Sequence, residues 1–418
     1  MKKRKTSADQ IFRMDSNMKT VFIVSTMLIV NGKKAGSQRV LNIAKSLANG
    51  NVKVFLCSFY DIDRNPIIAN QIYPGIYRLQ SIKIGQKSYF HLFGFLKSVN
   101  KYIKSLESKP VIYLYPTTFI LKDFIYLLNF KVFKCCRLFC EINELRVTNA
   151  FVSTPPRKAL PRLYFYMYSV YNMIAYKLSE LIAFFCDGIV VISTNLEKYF
   201  RRYTNNILKI PILCDVTEES HSIKKFDPDS ETFKICFAGT VNIKKEGFDL
   251  LFQALSVVKE KHDLELYLYG ILEIADRYLL KKFSSIYGLK GKVFYKGNIE
   301  PEDLHLEFVK YHLLILPRPL TAQTHYGFST KLSEYLVSGV PTLVTDVSDN
   351  SLYIKDNYNG FIIPPGSLSD MVNKIHDIID NYNERYLLIS QNAKQTARES
   401  FDYKLYSKAI VEFFFTSK

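Results

Sequence analysis

The sequence predicts an α/β protein of two Rossmann-like domains, each built on a parallel sheet, the two sheets facing each other across a cleft. Three observations carry that expectation. Strand-like and helix-like runs alternate along nearly the whole chain, the alternation falls into two series, and a polar segment separates them. A length of 418 residues suits two domains, each able to bury its own core. Apolar residues make up 48% of the chain and charged residues 23%, a globular balance.

In the first series, apolar runs read as strands at residues 21–30, 52–59, 111–115, 137–142, 188–193 and 208–213, with helical patterns between them at 37–48 and 121–130. In the second, strands are expected at 233–238, 264–269, 293–296, 313–316, 341–345 and 360–363. Helices intervene at 247–259, 273–287, 301–310, 330–338 and 369–381. Strands that alternate with helices form parallel sheets with crossover helices. Residues 215–231, DVTEESHSIKKFDPDSE, join the two series and read as a linker. Ligands of such sheets bind beyond the carboxyl ends of the strands. The basic start and the apolar run 21–30 imitate a secretion signal. Asp9 and Asp15 intervene, however, and no small-residue cleavage site follows, so a first strand is expected, with Met18 as an alternative start.

The net charge of +17 is one-sided. Residues 1–220 hold 32 Lys and Arg against 14 Asp and Glu, while the remainder holds 24 against 25. Such an excess implies an anionic partner for the first half: phospholipid, nucleic acid or a phosphorylated substrate. No aromatic or helical reader of nucleic acid accompanies it, so nucleic acid is not the expected partner. Residues 155–185, aromatic-rich and basic at their start, read as a helix able to lie on a membrane. No apolar run reaches about 18 residues, so no spanning helix is expected. The seven cysteines include no C-x-x-C pair and sit mostly in apolar runs, as buried thiols of a reducing cytosol do. With no histidine pair near Cys136 and Cys140, a zinc site is not expected.

The most informative segment is LLILPRPLTAQTHYGFSTKLSEYLVSGVPTLVTD, residues 313–346. A strand leads into a polar loop containing Gly327, and a short helix starts at Ser329 or Thr330, both natural N-caps. Gly339 ends the helix and Pro341 precedes the next strand. Free N–H groups and the positive end of the helix dipole make the helix start an anion site. Lys331 lies in the first turn and Glu334 one turn in, on the same face. A carboxylate so placed can accept two hydrogen bonds from a vicinal diol such as a ribose while the helix start and a lysine hold attached phosphates, each bond to the charged group contributing roughly 1.5–3 kcal/mol.

This segment resembles the donor site of glycosyltransferase family four, which has the GT-B fold and retains anomeric configuration. The family carries two glutamates separated by seven residues, the second followed by a small residue, glycine and proline. Glu334 with YLVSGVP matches the second, which in the family binds the ribose of the nucleotide. The first falls at Tyr326, a departure. The S-T-K-L-S-E form is similar to a subgroup in surface-polysaccharide synthesis. A second match is FAGTVNIKKEGFDLLFQAL, residues 237–255, where the family carries a basic pair on the diphosphate. Gly239 and Lys245 match, the arginine position is Thr240, and Arg318 is the candidate to supply the missing cation. The third match is GKKAGSQRVLNIAKSLANG, residues 32–50, similar to the family's glycine turn, with Gly36 facing the donor phosphates. CEINELR, residues 140–146, resembles by position the acceptor side, with Glu141, Asn143 and Glu144. CDGIVVISTNLEKYF, residues 186–200, is similar to a family strand in which Asp187 and Ser193 are structural.

The resemblance implies a retaining hexosyltransferase that needs no metal and no cofactor other than a nucleotide-diphosphate sugar as co-substrate. Its donor site would comprise Gly36, Gly239, Thr240, Lys245, Arg318, Tyr326, Gly327, Phe328, Ser329, Thr330, Lys331 and Glu334, with Lys245, Arg318 and Glu144 in catalysis. The acceptor would be a lipid-linked or oligosaccharide glycan of bacterial cell-surface polysaccharide synthesis, met at the inner, anionic face of the membrane by a cytoplasmic, peripheral protein. The expected division is an acceptor-side domain over residues 18–214, a linker over 215–231, a nucleotide-sugar domain over 232–398, and a C-terminal helix over 399–418 returning to the first domain. Two D-x-D strings, Asp61 with Asp63 and Asp227 with Asp229, resemble the metal motif of GT-A enzymes but follow an early strand and lie in the linker. The competing expectations are a sugar-nucleotide epimerase on the same fold, a basic nucleic-acid-binding protein and a catalytically inactive adaptor.

Overall fold

The computed structural model describes residues 6–7, 18–25, 35–59, 61, 67–81, 91–106, 108–115, 120–149, 159–216, 226–227, 231–300 and 303–416. The chain divides into two compact units, one of Met1–Leu213 with Tyr403–Lys418, the other of Cys214–Asp402. Most of the 215–231 segment and residues 26–34 lie outside the described residues, while Gly36, expected in a turn, is the second residue of a helix that starts at Ala35.

The first unit runs β1 (Thr6–Ser7), β2 (Thr20–Ser25), α1 (Ala35–Asn49), β3 (Lys53–Ser58), β4 (Ile67–Tyr73), β5 (Ile76–Ser81), α2 (His91–Ser105), β6 (Val111–Tyr115), α3 (Ile120–Leu127), β7 (Arg137–Ile142), α4 (Ala159–Ser179), α5 (Ile182–Phe185), β8 (Gly188–Val191), α6 (Thr194–Phe200) and β9 (Ile207–Lys209). A π-helical turn, Leu128–Phe133, extends α3. The sheet order among the described residues is β1-β4-β5-β3-β2-β6-β7-β8-β9. Every neighbouring pair is parallel except β1 with β4 and β4 with β5. The β4–β5 hairpin was not expected from the sequence.

Alternation decides which side chains serve which face. Val21, Ile23, Val54, Leu56, Tyr113 and Phe139 form one core with Val40, Ile43 and Leu47 of α1. That core is completed by Ile410 and Phe414 of the C-terminal helix Ser407–Phe415, with the Phe414 ring 4.6 Å from that of Phe139. The opposite face receives α2 and α3, where Phe95 meets Tyr126 edge-on at 6.0 Å and Tyr126 stacks on Phe130.

The second unit runs β10 (Phe233–Ala238), α7 (Phe248–Val258), β11 (Leu264–Tyr269), α8 (Ile274–Ile286), β12 (Val293–Gly297), α9 (Leu304–Phe308), β13 (Leu313–Leu316), α10 (Ala322–Tyr326), α11 (Thr330–Ser338), β14 (Thr342–Thr345), α12 (Asn350–Tyr353), β15 (Phe361–Ile363), α13 (Leu368–Asp380) and α14 (Tyr382–Ser400). All neighbouring strands are parallel in the order β12-β11-β10-β13-β14-β15, the doubly wound arrangement of nucleotide-binding sheets. Apolar residues at helical spacing explain α7: Phe248, Leu251, Phe252, Leu255 and Val258 are all buried. Gly339 closes α11 in the left-handed conformation that glycine adopts without a Cβ penalty.

Candidate functional site

Reading outward from β10, the first strand of the second unit, the sheet order reverses between β10 and β13. A doubly wound sheet opens a crevice at that point, beyond the carboxyl ends of its strands. The loops leaving β10 and β13 carry Gly239, Thr240 and Lys245 on one side and Arg318, Tyr326, Gly327, Phe328 and Ser329 on the other. The topology thus places most of the expected donor residues at the switch point. Gly36, by contrast, is the second residue of α1 in the first unit.

Two glycines let these loops close on one another. Gly247, at φ +76°, precedes α7, and a Cβ there would fall 2.0 Å from the Pro317 carbonyl oxygen. Gly239 leaves β10 at φ +147°, and a Cβ there would fall 1.9 Å from Lys331 Cε. Lys331 therefore lies across the exit of β10, its ammonium 4.9 Å from the centre of the Phe237 ring. The 240–246 turn is pinned from α8: buried Asp276 accepts from the Ile243 N–H at 2.9 Å and from the Asn242 amide at 3.2 Å, and Asn242 accepts in turn from the Lys245 N–H.

The chemistry of the loop pair centres on a residue the sequence reading did not single out. Glu246 is 1% exposed. Its carboxylate takes a two-pronged ion pair from Arg318, at 2.9 and 3.0 Å, and a third contact from Lys331 at 3.2 Å. Burial alone would push this carboxyl up, but Arg318 and Lys331 outweigh it and hold the group down at about 2. Burial acts in the opposite sense on Lys331, which sits at about 8 although Glu246 faces it. Arg318, expected to supply a cation toward the diphosphate, is paired with Glu246. The three groups keep one net positive charge. Lys245 and Thr240 are exposed at the tip of the turn.

Glu334 is half-buried, and its carboxylate has no hydrogen-bond partner among the described residues. Burial raises it to about 7, against a smaller lowering by Lys331. One turn earlier, Ser329 occupies the N-cap of α11 without its side chain capping the helix, and its buried hydroxyl has no partner. The Leu332 N–H bonds the Ser329 carbonyl at 3.3 Å, so the Thr330 and Lys331 N–H groups and the Ser329 hydroxyl are those that point toward an anion at the helix start. Thr330 is half-buried in the first turn, whereas Phe328 is buried against Tyr353 and Phe401 and anchors the loop. Tyr326 ends α10, a single turn fixed by the Thr321–Thr324 capping box, and Gly327 follows as its C-cap. An unpartnered acceptor, an uncapped helix start and a cationic cluster thus share one end of one sheet.

In the first unit the acceptor-side expectation needs correction at Glu141. This residue lies two positions after Phe139, on the same face of β7 as the core, and is fully buried. Arg39 pairs with it at 3.1 Å and the Tyr113 hydroxyl donates to its other oxygen, while Arg39 also binds the carbonyls of Ile210 and Pro211. Glu141 is therefore a structural tie between α1, the sheet and the chain beyond β9. Asn143 and Glu144, past the end of β7, line a small cavity of about 40 Å³ with Arg146, Tyr176 and Glu180. Asp187 bonds Lys131 and the Leu138 N–H, and Ser193 caps α6, both structural as expected. Asp61 pairs with Arg78 rather than facing solvent, while Asp63 and Asp229 lie outside the described residues.

Comparison with known proteins bears on the fold and on the second unit. Residues 218–396 match the family described as Glycosyl transferases group 1. Over 217 residues, half of this chain, the sequence is 25% identical to the UDP-N-acetylglucosamine–peptide N-acetylglucosaminyltransferase GtfA subunit of Streptococcus pneumoniae, and it spans only 39% of that relative's length. Sucrose-phosphate synthase of Thermosynechococcus elongatus superposes with a TM-score of 0.69 at 15% identity, covering 95% of this chain and 98% of that one. HepE of Anabaena, solved with UDP-glucose, superposes with a TM-score of 0.65 at 13% identity, over 94% and 98% of the two chains. The chain has the GT-B fold of these structures, and residues 218–396, most of its second unit, are similar to the group 1 glycosyl transferases.

Proposed function

We propose that the chain is a retaining, metal-independent hexosyltransferase that takes its sugar from a nucleoside diphosphate donor. The observation that carries this reading is Glu334, a half-buried, unpartnered carboxylate one turn beyond an uncapped helix start and beside a buried cationic cluster. A ribose diol donates two hydrogen bonds and leaves the attached diphosphate one helical turn away, which is the spacing of Glu334 from Ser329 and Thr330. Lys331, Arg318 and Lys245 then face the negative charge that develops as the diphosphate leaves, inside a site where preorganised charge acts with little reorganisation. Gly239 admits Lys331 to that position, and Glu246 holds Lys331 and Arg318 in place. Thr240, Gly327, Phe328 and Tyr326 shape the walls, with Tyr326 standing where the resembled family has a first glutamate. Gly36 is proposed on the phosphate side and Glu144 and Asn143 on the acceptor side.

The acceptor is proposed to be a lipid-linked or oligosaccharide glycan of cell-surface polysaccharide synthesis, reached at the anionic inner face of the membrane. HepE is solved with UDP-glucose and the GtfA subunit is named for UDP-N-acetylglucosamine, so uridine diphosphate sugars are the first donors to test. In calorimetry, UDP or its sugar should bind the full chain, and Glu334→Ala should weaken binding at least about tenfold, the equivalent of losing one bond to a charged group, while the melting temperature without ligand at neutral pH should not fall, since the variant removes a carboxylate that burial disfavours. Equal affinity for the variant would remove the ribose role. Product configuration read by NMR, with turnover in EDTA, tests retention and metal independence together.

A further inference from the structure

The small cavity at the carboxyl end of β7 has a chemistry of its own. Parallel sheets bind ligands beyond the carboxyl ends of their strands. This cavity is lined from that end of β7, from Asp123 of α3, from the last turn of α4, and from α5 and α6. Part of its wall is apolar and buried: Leu145, Ile182, Ala183 and Phe200 are each exposed by 4% or less.

Its charged groups are nearly all paired inside the protein. Glu141 is held by Arg39 and the Tyr113 hydroxyl. Glu180, just past α4, accepts from Lys177 and Tyr203 at 2.6 Å each and from Tyr199 at 3.0 Å. Fully buried Asp123 accepts from Arg146 Nη1 at 3.2 Å. Arg146 is the one cation among the lining residues, and Asp123 matches it, while Glu144 is a further carboxylate. A phosphate or carboxylate entering here would lose its hydration and find no counter-charge left for it. The cavity therefore favours a neutral guest.

Two polar groups remain for that guest. Only one nitrogen of the Arg146 fork is taken, so the fork keeps N–H donors with no protein partner among the described residues. Asn143 donates from its amide to the Tyr115 hydroxyl, which leaves its Oδ1 as an acceptor. The volume is about 40 Å³ where one water needs about 10–15 Å³, so about three non-hydrogen atoms fit.

A donor, an acceptor, an apolar wall and room for three atoms together match one sugar substituent, the acetamido group. Its carbonyl oxygen accepts from Arg146, its N–H donates to Asn143, and its methyl lies against Leu145, Ile182, Ala183 and Phe200. A hydroxymethyl would set an oxygen against the apolar wall. A bare methyl would cover the arginine N–H groups and leave them unmatched.

We propose that this cavity is an acetamido subsite, so that the sugar receiving the transferred residue is an N-acetylated hexosamine. The inference rests on the reading above, which puts the acceptor at Asn143 and Glu144, and it names the class of that acceptor.

The test titrates the full chain with the methyl glycosides of N-acetylglucosamine, N-acetylgalactosamine and N-acetylmannosamine, each against its parent hexoside. Every titration is run with and without UDP, so failure of the donor site does not hide this one. At least one N-acetyl glycoside should bind at least about tenfold more tightly than its parent, as a buried methyl with its hydrogen bonds gives. Saturation-transfer NMR should show the strongest transfer at its acetyl methyl. Ala183→Val narrows the cavity and should remove the preference. Arg146→Lys keeps a charge opposite Asp123 but loses the fork, so it should weaken the N-acetyl glycoside about tenfold and leave the parent unchanged. UDP affinity, which neither residue serves, should hold in both variants. No preference for any N-acetyl glycoside, a preference that both variants leave whole, or transfer spread evenly over ring and methyl would each overturn the proposal and leave the cavity a site for water.

Discussion

Three ionisable groups at the switch point have displaced equilibria, and their directions make a pH signature. Glu334 is raised to about 7, so the folded protein keeps a proton between the ordinary carboxylate range and 7 that the unfolded chain has lost. Its stabilising contribution is therefore present at acidic pH and is lost as pH rises through 7. Ribose binding needs the opposite form, the carboxylate, so donor affinity should climb as pH passes through 7. Lys331 is lowered to about 8, and above that value the diphosphate must recover a proton for it, so affinity should fall by up to about tenfold per pH unit. The maximum is expected between 7 and 8 in calorimetric titrations across pH. Glu334→Gln should erase the acidic limb. Glu246→Gln should move the basic limb to lower pH, since Lys331 would then face burial and Arg318 with no counter-charge, and should cost roughly 3–5 kcal/mol of stability. An unmoved basic limb would reduce Glu246 to a packing residue. Lys331 and Glu334 were singled out because a helix start, a capping glycine and a proline bracket them in sequence, whereas Arg318 was named only to supply the arginine that the resembled family carries elsewhere. Glu246 was not singled out: beside Lys244 and Lys245 it reads as solvated loop, and only Arg318, 72 residues onward, makes it a buried counter-ion. Glu141 misled for the converse reason, because a strand-end position was weighed above the alternation that sets it on the face of Phe139.

At the scale of elements, the central strands β10, β13 and β14 of the second unit were legible because both faces of each are buried, which makes near-continuous apolar runs. The β4–β5 hairpin was missed although Pro74 and Gly75 mark its turn, since Ile67–Tyr73 mixes polar and apolar residues without strict alternation. The π-helical turn after α3 has no sequence signature, and its consequence is the exposed pair Val132 and Phe133. What periodicity could not show is how closely the two site loops approach. Gly247 permits it, being left-handed and having the Pro317 carbonyl oxygen 2.0 Å from where a Cβ would stand. Gly247→Ala should force backbone, not a flexible side chain, to move, and with the left-handed strain added it should cost roughly 1–3 kcal/mol. It should also separate Arg318 from Glu246, so that UDP affinity falls along with the melting temperature. Gly239→Ala meets the end of the Lys331 side chain, but at φ +147° it also strains the backbone, so both affinity and melting temperature should fall.

At the scale of the whole molecule, the sequence reads as two α/β series with a C-terminal helix expected over 399–418 to return to the first. Tyr403–Lys418 belongs with Met1–Leu213, and α14 stays with the second unit up to Asp402. Ile410 and Phe414, both fully buried, complete the core on the α1 face of the first sheet, and Phe414 stacks on Phe139 and leans on Tyr113. Burying one such side chain contributes about 1.5–3 kcal/mol, so the two together hold several kcal/mol, a large part of the 5–15 kcal/mol that keeps a typical domain folded. The second unit takes no part in that core: its own is built on β10 to β15 with α7 and α13, where Ile375 and Ile378 are buried. A chain ending at Asp402 should therefore lose order in the first unit alone. Hydrogen exchange should show the amides of β2, β6 and β7 exposed in the truncated chain while those of β10, β13 and β14 stay protected. The truncated chain should still bind UDP through Glu334 and the α11 helix start. The double substitution Ile410→Ala, Phe414→Ala should reproduce the effect in graded form, at roughly 5–10 kcal/mol from two large-to-small core changes. Uniform loss of protection in both units would mean that the two fold as one cooperative body, and the site would then depend on a core it does not touch.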